Sequence, residues 1–146
     1  MKLIRKDFWS IIDEFEVACI TTNGFVKKNG DAVMGRGIAK EAAIKYPQLP
    51  TMLGDKLKEN GNKVQSIDKI RNTILCAFPV KHNWYEEADI NLIRKSCKEL
   101  MDIINKHDVK SVLLNMPGVG NGKLDFNTVK FAIEELLDDR VTVVYK

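Results

Sequence analysis

The fold class that this sequence predicts is a single three-layer α/β domain, and three observations predict it. Short apolar runs of the β type alternate with amphipathic helical stretches along the whole chain. One run, Val17-Ala18-Cys19-Ile20-Thr21, is nearly apolar throughout, as a strand covered on both faces should be. No repeat, low-complexity tract or Pro/Ser-rich linker divides residues 1–146, so they form one domain. A chain of that size buries roughly 70% of its unfolded surface.

The elements follow in order. Lys2–Arg5 is a first strand and Val17–Thr21 a second. A polar loop, Thr22 to Val33, comes next, with Gly24 and Asn29-Gly30 as turn signals. Ile38–Lys45 reads as a helix closed before Pro47, and Pro50–Asn60 as another with Gly61 just past its end. Val64–Ile67 and Ile74–Phe78 read as strands around a turn at Lys69–Asn72. The clearest helical period lies in Asp89–Asp108, where Ile90, Ile93, Cys97, Leu100, Met101 and Ile104 share one face. Ser111–Met116 is a strand, Pro117–Lys123 a glycine loop, and Asn127–Leu137 a helix with Asn127 as its N-cap. Val141–Tyr145 is the last strand.

Composition removes several classes of function. At 45% hydrophobic the chain is too apolar for disorder, yet no apolar run approaches the roughly 20 residues of a membrane helix. Arg5, Lys6 and Asp7 interrupt the first apolar residues, so no signal peptide and a cytoplasmic location are expected. Three cysteines exclude a disulfide scaffold, and Cys19 and Cys76, inside apolar runs, are expected to be buried thiols. Residues 1–71 hold 13 Lys/Arg against 9 Asp/Glu, whereas residues 72–146 hold 10 against 11. That excess is too mild for a dedicated nucleic-acid arm but suits an anionic ligand near the first half.

Two loops carry the candidate chemistry, each between an apolar strand and a helix. They are Met34-Gly35-Arg36-Gly37-Ile38-Ala39-Lys40 and Pro117-Gly118-Val119-Gly120-Asn121-Gly122-Lys123. Glycine lets backbone N–H groups approach a ligand, and a helix N-terminus favours anions, so two such loops can grip a diphosphate from both sides. Neither is a standard nucleotide fingerprint: Lys40 stands where the third dinucleotide glycine belongs, and Leu124 where a P-loop has Ser or Thr. A third candidate is Lys81-His82, where the chain leaves a strand. The only other histidine is His107 on the long helix, so no metal site is expected, and no G-x-S-x-G elbow is present. Trp9, Phe25, Trp84, Phe126 and Tyr145 are expected in the core or half-buried, with Tyr145 also placed to stack on a base.

In this order the motifs resemble those of macrodomains, the ADP-ribose-binding α/β/α fold with a mixed central sheet, over nearly the whole chain. They sit nearest the branch that holds the terminal ADP-ribose glutamate hydrolases, the ADP-ribose 1″-phosphate phosphatases and the DNA ADP-ribosyl glycohydrolase antitoxins. Lys6-Asp7-Phe8 resembles the family's Gly-Asp-Leu/Ile, and Thr22-Asn23 with Met34–Ala39 its Val-Asn … Met-Gly-Lys-Gly-Ile-Ala. Phe78–Trp84 is similar to the antitoxins' Phe-Pro-Thr-Lys-x-His-Trp, and Met116–Phe126 to their second glycine loop.

The resemblance implies a role for each matched residue. Asp7 accepts from the adenine amino group with the Phe8 amide beside it, Tyr145 lies near adenine, and Asn23 contacts the distal ribose. Gly35, Arg36, Gly37 and Ile38 wrap the diphosphate and distal ribose from one side, and Val119, Gly120, Asn121 and Gly122 from the other. Lys81 matches the lysine implicated in hydrolysis, and a nucleophilic amine needs burial or a cationic neighbour such as Arg36. Gly122 stands where the glutamate hydrolases have an aspartate, and Asp125 is placed to cap the next helix. The loop Gly24–Val33 is longer than in the antitoxins, and its Lys27 and Lys28 are placed to cover the site or touch a phosphodiester.

The expected activity is therefore hydrolysis of ADP-ribose from a modified macromolecule, a DNA base or an acidic side chain. The alternatives are an ADP-ribose 1″-phosphate phosphatase with His82 as acid or base, and a non-catalytic ADP-ribose-binding module. Neither cofactor nor metal is expected. The expected partners are ADP-ribose or an ADP-ribosylated macromolecule, with transient contact to single-stranded nucleic acid, no membrane, and a monomeric chain.

Overall fold

The computed structural model describes Met1–Lys146. Its elements are β1 (Lys2–Arg5), α1 (Phe8–Ile11), β2 (Val17–Asn23), α2 (Gly37–Lys45), α3 (Leu49–Asn60), β3 (Gln65–Ile70), β4 (Thr73–Lys81), α4 (Ile90–His107), β5 (Val112–Asn115), α5 (Phe126–Glu134) and β6 (Val141–Tyr145). Short 3₁₀ turns lie at Ile12–Glu14 and Gly120–Gly122. The six strands form one mixed sheet in the order β1-β6-β5-β2-β4-β3, parallel except for β3, which pairs antiparallel with β4.

The side-chain alternation of the central strands divides the core in two. Cys19, Cys76, Phe78 and Val80 face one layer, where Ile93, Leu100 and Ile104 of α4 and Val129 and Ile133 of α5 cover them. Ala18, Ile20, Leu75 and Ala77 face the other, against Ala39 and Ala42 of α2 and Leu49 and Leu53 of α3. Both faces are buried, which is why β2 reads as a continuous apolar run. The expected buried thiols are found: Cys19 and Cys76 are register partners on adjacent strands, and Cys97 packs into the same layer from α4. Burial pushes the Cys97 thiol up to about 12, so that sulfur stays a protonated thiol near neutrality.

Three expectations are corrected. The α5 N-cap is Asp125, as the resemblance implied, rather than the Asn127 read from the helix pattern: with an extended backbone its carboxylate accepts from Thr128 N at 3.0 Å and Thr128 Oγ1 at 3.1 Å. The same helix stops at Glu134, short of Leu137, because Leu136 and Leu137 both donate to the Ile133 carbonyl and close a turn. β4 runs on to Lys81 through Pro79, which needs no ladder partner on its outer side because β3 pairing ends at Ala77. A register shift opposite Thr22/Asn23 then sets Asn23 beside Lys81 at the C-terminal ends of β2 and β4.

α3 contains one glycine whose size matters. Gly54 is buried, and a Cβ there would run into the carbonyl oxygen of Gly30. Helix propensity alone favours Ala over Gly by about 1 kcal/mol, but overpacking against backbone costs roughly 1–3 kcal/mol and cannot be relieved by a rotamer. Gly54→Ala is expected to lower the unfolding free energy by about 1 kcal/mol net, seen as a reduced urea midpoint at unchanged slope.

Candidate active site

At the C-terminal ends of β2, β4 and β5, where the flanking loops diverge, a cleft with a cavity volume of about 520 Å³ opens. A smaller pocket of about 290 Å³ adjoins it, and the two share Ile38, Asn115 and Val119. Both volumes together fall in the range of small-molecule sites, roughly 300–1,000 Å³. This position, outside the carboxyl ends of a mostly parallel sheet, is where open α/β folds bind ligands.

The structure brings together all but one of the residues singled out from the sequence. Asn23, Gly35, Arg36, Gly37, Lys81 and Asn121 line the cleft, with Gly122 behind them. Asp7, Phe8, Gly120 and Tyr145 line the adjoining pocket. Ile38 and Val119 border both.

α2 begins at the cleft with no side-chain cap, so its first backbone N–H groups have no partner from the preceding residue's side chain. By contrast α1, α4 and α5 are capped by Asp7, Asp89 and Asp125. Gly37 adopts φ +59, a left-handed conformation that turns the chain into α2 beside Asn121. The second loop is equally constrained: the Gly122 carbonyl accepts from Ala88 N at 3.0 Å, and a Cβ on Gly122 would lie 2.9 Å from that of Ala88.

The polar side chains divide between shaping the walls and facing the space. Asn23 donates to Val33 O at 3.1 Å and accepts from Phe25 N at 2.9 Å, which pins the following loop and leaves one amide N–H uncommitted. Asp7 accepts from Ser10 N and pairs with Lys146 at 3.1 Å, so its carboxylate stands at the pocket rim. Phe126 and Tyr145 meet edge to face at 5.2 Å and form an aromatic wall there.

Lys81 ends β4 with Nζ 3.3 Å from the Asn121 carbonyl, so it lies next to the second glycine loop. Burial lowers its pKa below the ordinary lysine value, and the nearby charges of Arg36 and Lys123 lower it further. The cleft wall carries three cations, Lys27, Arg36 and Lys81, and no carboxylate.

His82 is the exception. It lines neither space; its Nε2 lies 2.9 Å from Asp89 Oδ2, and the side chain is 58% exposed. Past the end of β4 the backbone turns this ring toward the start of α4 rather than toward Lys81. Trp84, expected in the core or half-buried, is 41% exposed at the cleft mouth.

Sequence reasoning missed two residues. Asn115 ends β5 between the two spaces and locks β2, accepting from Thr21 N at 3.1 Å and donating to Thr21 Oγ1 at 3.0 Å. A polar residue closing an apolar strand was its one signal. Asn62 donates to the Lys81 carbonyl at 3.1 Å, and nothing in its loop sequence pointed to that contact.

Solved structures share this architecture. The macrodomain of Thermus aquaticus DarG superposes with a TM-score of 0.79 at 24% identity, covering 99% of this chain and 97% of that one. The macrodomain of Mycobacterium tuberculosis DarG gives 0.78 at 23% identity over 99% and 97%. This chain has the macrodomain fold. A third macrodomain structure, Thermosipho africanus DarTG in complex with ADP-ribose, gives 0.77 at 20% identity over 97% of this chain and 40% of that one. No family model matches the chain. In sequence, the macrodomain is 27% identical over 104 residues to DNA ADP-ribosyl glycohydrolases of Mycobacterium bovis and Mycobacterium tuberculosis, covering 67% of this chain and 30% of each relative. The chain thus matches less than a third of the length of those relatives. No helix is long and apolar enough to cross a membrane.

Proposed function

We propose that this macrodomain binds ADP-ribose along the joined cleft and pocket and removes it from a modified DNA base, with Lys81 as the reacting group. The observation that carries the reading is Lys81 itself: a lysine at the end of a central strand, crowded by cations, in a wall without carboxylates. Adenine lies in the smaller pocket against Phe126 and Tyr145, its amino group donating to Asp7. The diphosphate lies on the amides of Gly35–Ile38 and of Val119–Gly122. Each hydrogen bond to a charged phosphate contributes about 1.5–3 kcal/mol, so a few support micromolar affinity. Asn23 offers its free N–H to the distal ribose, whose C1″ then faces Lys81.

In the reaction the neutral Lys81 amine attacks C1″, and the electron pair of the C1″–N bond leaves with the base. The proton shed by the new C1″–Nζ ammonium goes to the leaving base. Water then replaces Nζ at C1″, releasing ADP-ribose and regenerating the amine.

Two rival substrates fit less well. Hydrolysis at an acidic side chain by a Lys/Asp pair lacks its aspartate, because Asp125 is occupied capping α5 and lines neither space. A phosphatase using His82 lacks that ring in the cleft. The names of the matched relatives, DNA ADP-ribosyl glycohydrolases, support the DNA reading.

The test is release of ADP-ribose from three substrates: single-stranded DNA modified on a base, protein modified on acidic side chains, and ADP-ribose 1″-phosphate. Release from the DNA alone is expected. Binding of ADP-ribose without turnover of any of them would make the protein a binding module and overturn the hydrolase reading.

The pH profile supplies a second check. Only the neutral amine attacks, so turnover is expected to rise with pH and level off above the lowered pKa of Lys81. Lys123→Ala removes one of the charges that hold that pKa down. Its profile is expected to shift to higher pH, slower near neutrality and equal to wild type on the alkaline plateau.

A further inference from the structure

The loop of residues 24–33 stands at the rim of the cleft. It is a hairpin: Val26 and Ala32 form an antiparallel bridge, Lys27 N donates to Asp31 O at 2.8 Å, and Gly30 N donates to Lys27 O at 2.9 Å. It is also seated on α3. Ala32 N donates to Pro50 O at 2.8 Å, Thr51 Oγ1 donates to Asp31 Oδ1 at 2.8 Å, and the Gly30 carbonyl rests on Gly54. Asp31, the hairpin's one carboxylate, is therefore held by Thr51 of α3 and by Asn29 and pairs with neither lysine.

Lys27 enters the cleft wall, and Lys28 beside it is exposed. Neither forms an ion pair. The Lys58 ammonium of α3 also comes close to Gly30, but it is paired with Asp55 at 3.4 Å, so Lys27 and Lys28 are the unpaired charges here. Past Trp84, which also lines the cleft, Glu86 and Glu87 are exposed, with Glu86 Oε1 held by Asn83 at 2.8 Å. On the hairpin, two unpaired ammonium groups side by side make that part of the rim attractive to a polyanion.

We propose that the 24–33 hairpin is a phosphate clamp, in which Lys27 and Lys28 bind a phosphodiester of the nucleic-acid strand next to the ADP-ribosylated nucleotide. The strand then leaves the cleft over the α3 lip. This rests on the DNA reading above and adds what determines substrate choice: the clamp ties affinity to the strand, not to ADP-ribose alone. Its rigid seating matters because the lysines are held in place before the strand arrives, so less ordering cost opposes binding.

The test uses Lys81→Ala protein, so that ligands stay uncleaved, and measures affinity by calorimetry at two salt concentrations. The ligands are an ADP-ribosylated single-stranded oligonucleotide, an ADP-ribosylated nucleoside without phosphodiesters, ADP-ribose 1″-phosphate, an ADP-ribosylated acidic peptide, and ADP-ribose. The oligonucleotide is expected to bind at least tenfold tighter than the nucleoside at low salt. Lys28→Ala should lower oligonucleotide affinity severalfold and leave ADP-ribose affinity unchanged. It should also reduce the salt slope by about 0.7, the share of one neutralised phosphate on a single strand. Lys27→Ala with Lys28→Ala should erase the oligonucleotide's advantage.

Equal affinity for oligonucleotide and nucleoside, or an advantage that survives the double variant, overturns the clamp. So does tighter binding of the peptide. If ADP-ribose 1″-phosphate loses as much as the oligonucleotide in the double variant, the lysines read a free phosphate and the strand assignment fails. Each of these leaves ADP-ribose binding intact, whereas no binding of ADP-ribose at all would instead remove the proposed function.

Discussion

Lys81→Ala is expected to slow release of ADP-ribose from DNA by about 10³-fold or more, while the Kd for ADP-ribose changes by less than about tenfold. The asymmetry follows from where the side chain acts. The amine is the bond-forming group, so no other residue in a wall without carboxylates replaces it. As a cation near the diphosphate it contributes to binding only alongside Arg36 and two sets of backbone amides.

Lys81→Arg separates this role from a purely electrostatic one. A guanidinium keeps the positive charge but does not deprotonate in proteins, and it is no nucleophile. If Lys81 reacts, the Arg variant is expected to be as slow as the Ala variant and to bind ADP-ribose nearly as wild type. If the Arg variant retains most of the rate, Lys81 acts by charge alone. The C1″–Nζ adduct opens its ribose ring when the C1″–O4″ bond breaks and the remaining Nζ proton passes to O4″, so a sodium borohydride trap of the wild-type reaction reduces the resulting imine to a stable adduct detectable by mass.

Much of this arrangement was legible in the sequence, and the part that was not has identifiable causes. The glycine loops and Lys81 were found because strand, loop and helix follow one another with clear period changes, and the ends of parallel strands converge in space. α1 went unnoticed because four residues, Phe8–Ile11, are too short to show a helical period. Asp125 and Asn127 are equally good capping types, so residue type alone pointed to Asn127 while the motif pointed to Asp125; the extended backbone at Asp125, which lets its carboxylate reach Thr128, decides between them. His82 misled through adjacency. Neighbours in sequence at a strand end point in different directions, and the carboxylate that takes this ring, Asp89, lies seven residues on. The hairpin's seating on α3 depends on Gly30 meeting Gly54, a contact between glycines with no signature in either segment.

The glycine positions offer the other large effect, and the structure shows which of them gives a clean result. A glutamate at Gly37 would put a carboxylate in the diphosphate site, but φ there is +59 and a Cβ would stand 3.3 Å from Asn121 Nδ2. Backbone strain of order 1–3 kcal/mol would then be mixed with charge repulsion. Gly35 lines the same cleft without either problem: its φ is not left-handed, and nothing lies within 4 Å of a Cβ built on it. Gly35→Glu is therefore expected to fold with a Tm within a few degrees of wild type and to weaken ADP-ribose binding by 100-fold or more, about 2.7 kcal/mol or greater. Gly35→Gln, similar in size without the charge, should lose clearly less. Gln as damaging as Glu would mean that bulk and not an anion site is being read, and retained affinity in the Glu variant would place the diphosphate elsewhere. The Gly37→Glu variant should lose as much binding and, unlike Gly35→Glu, should also lose stability in the same melt.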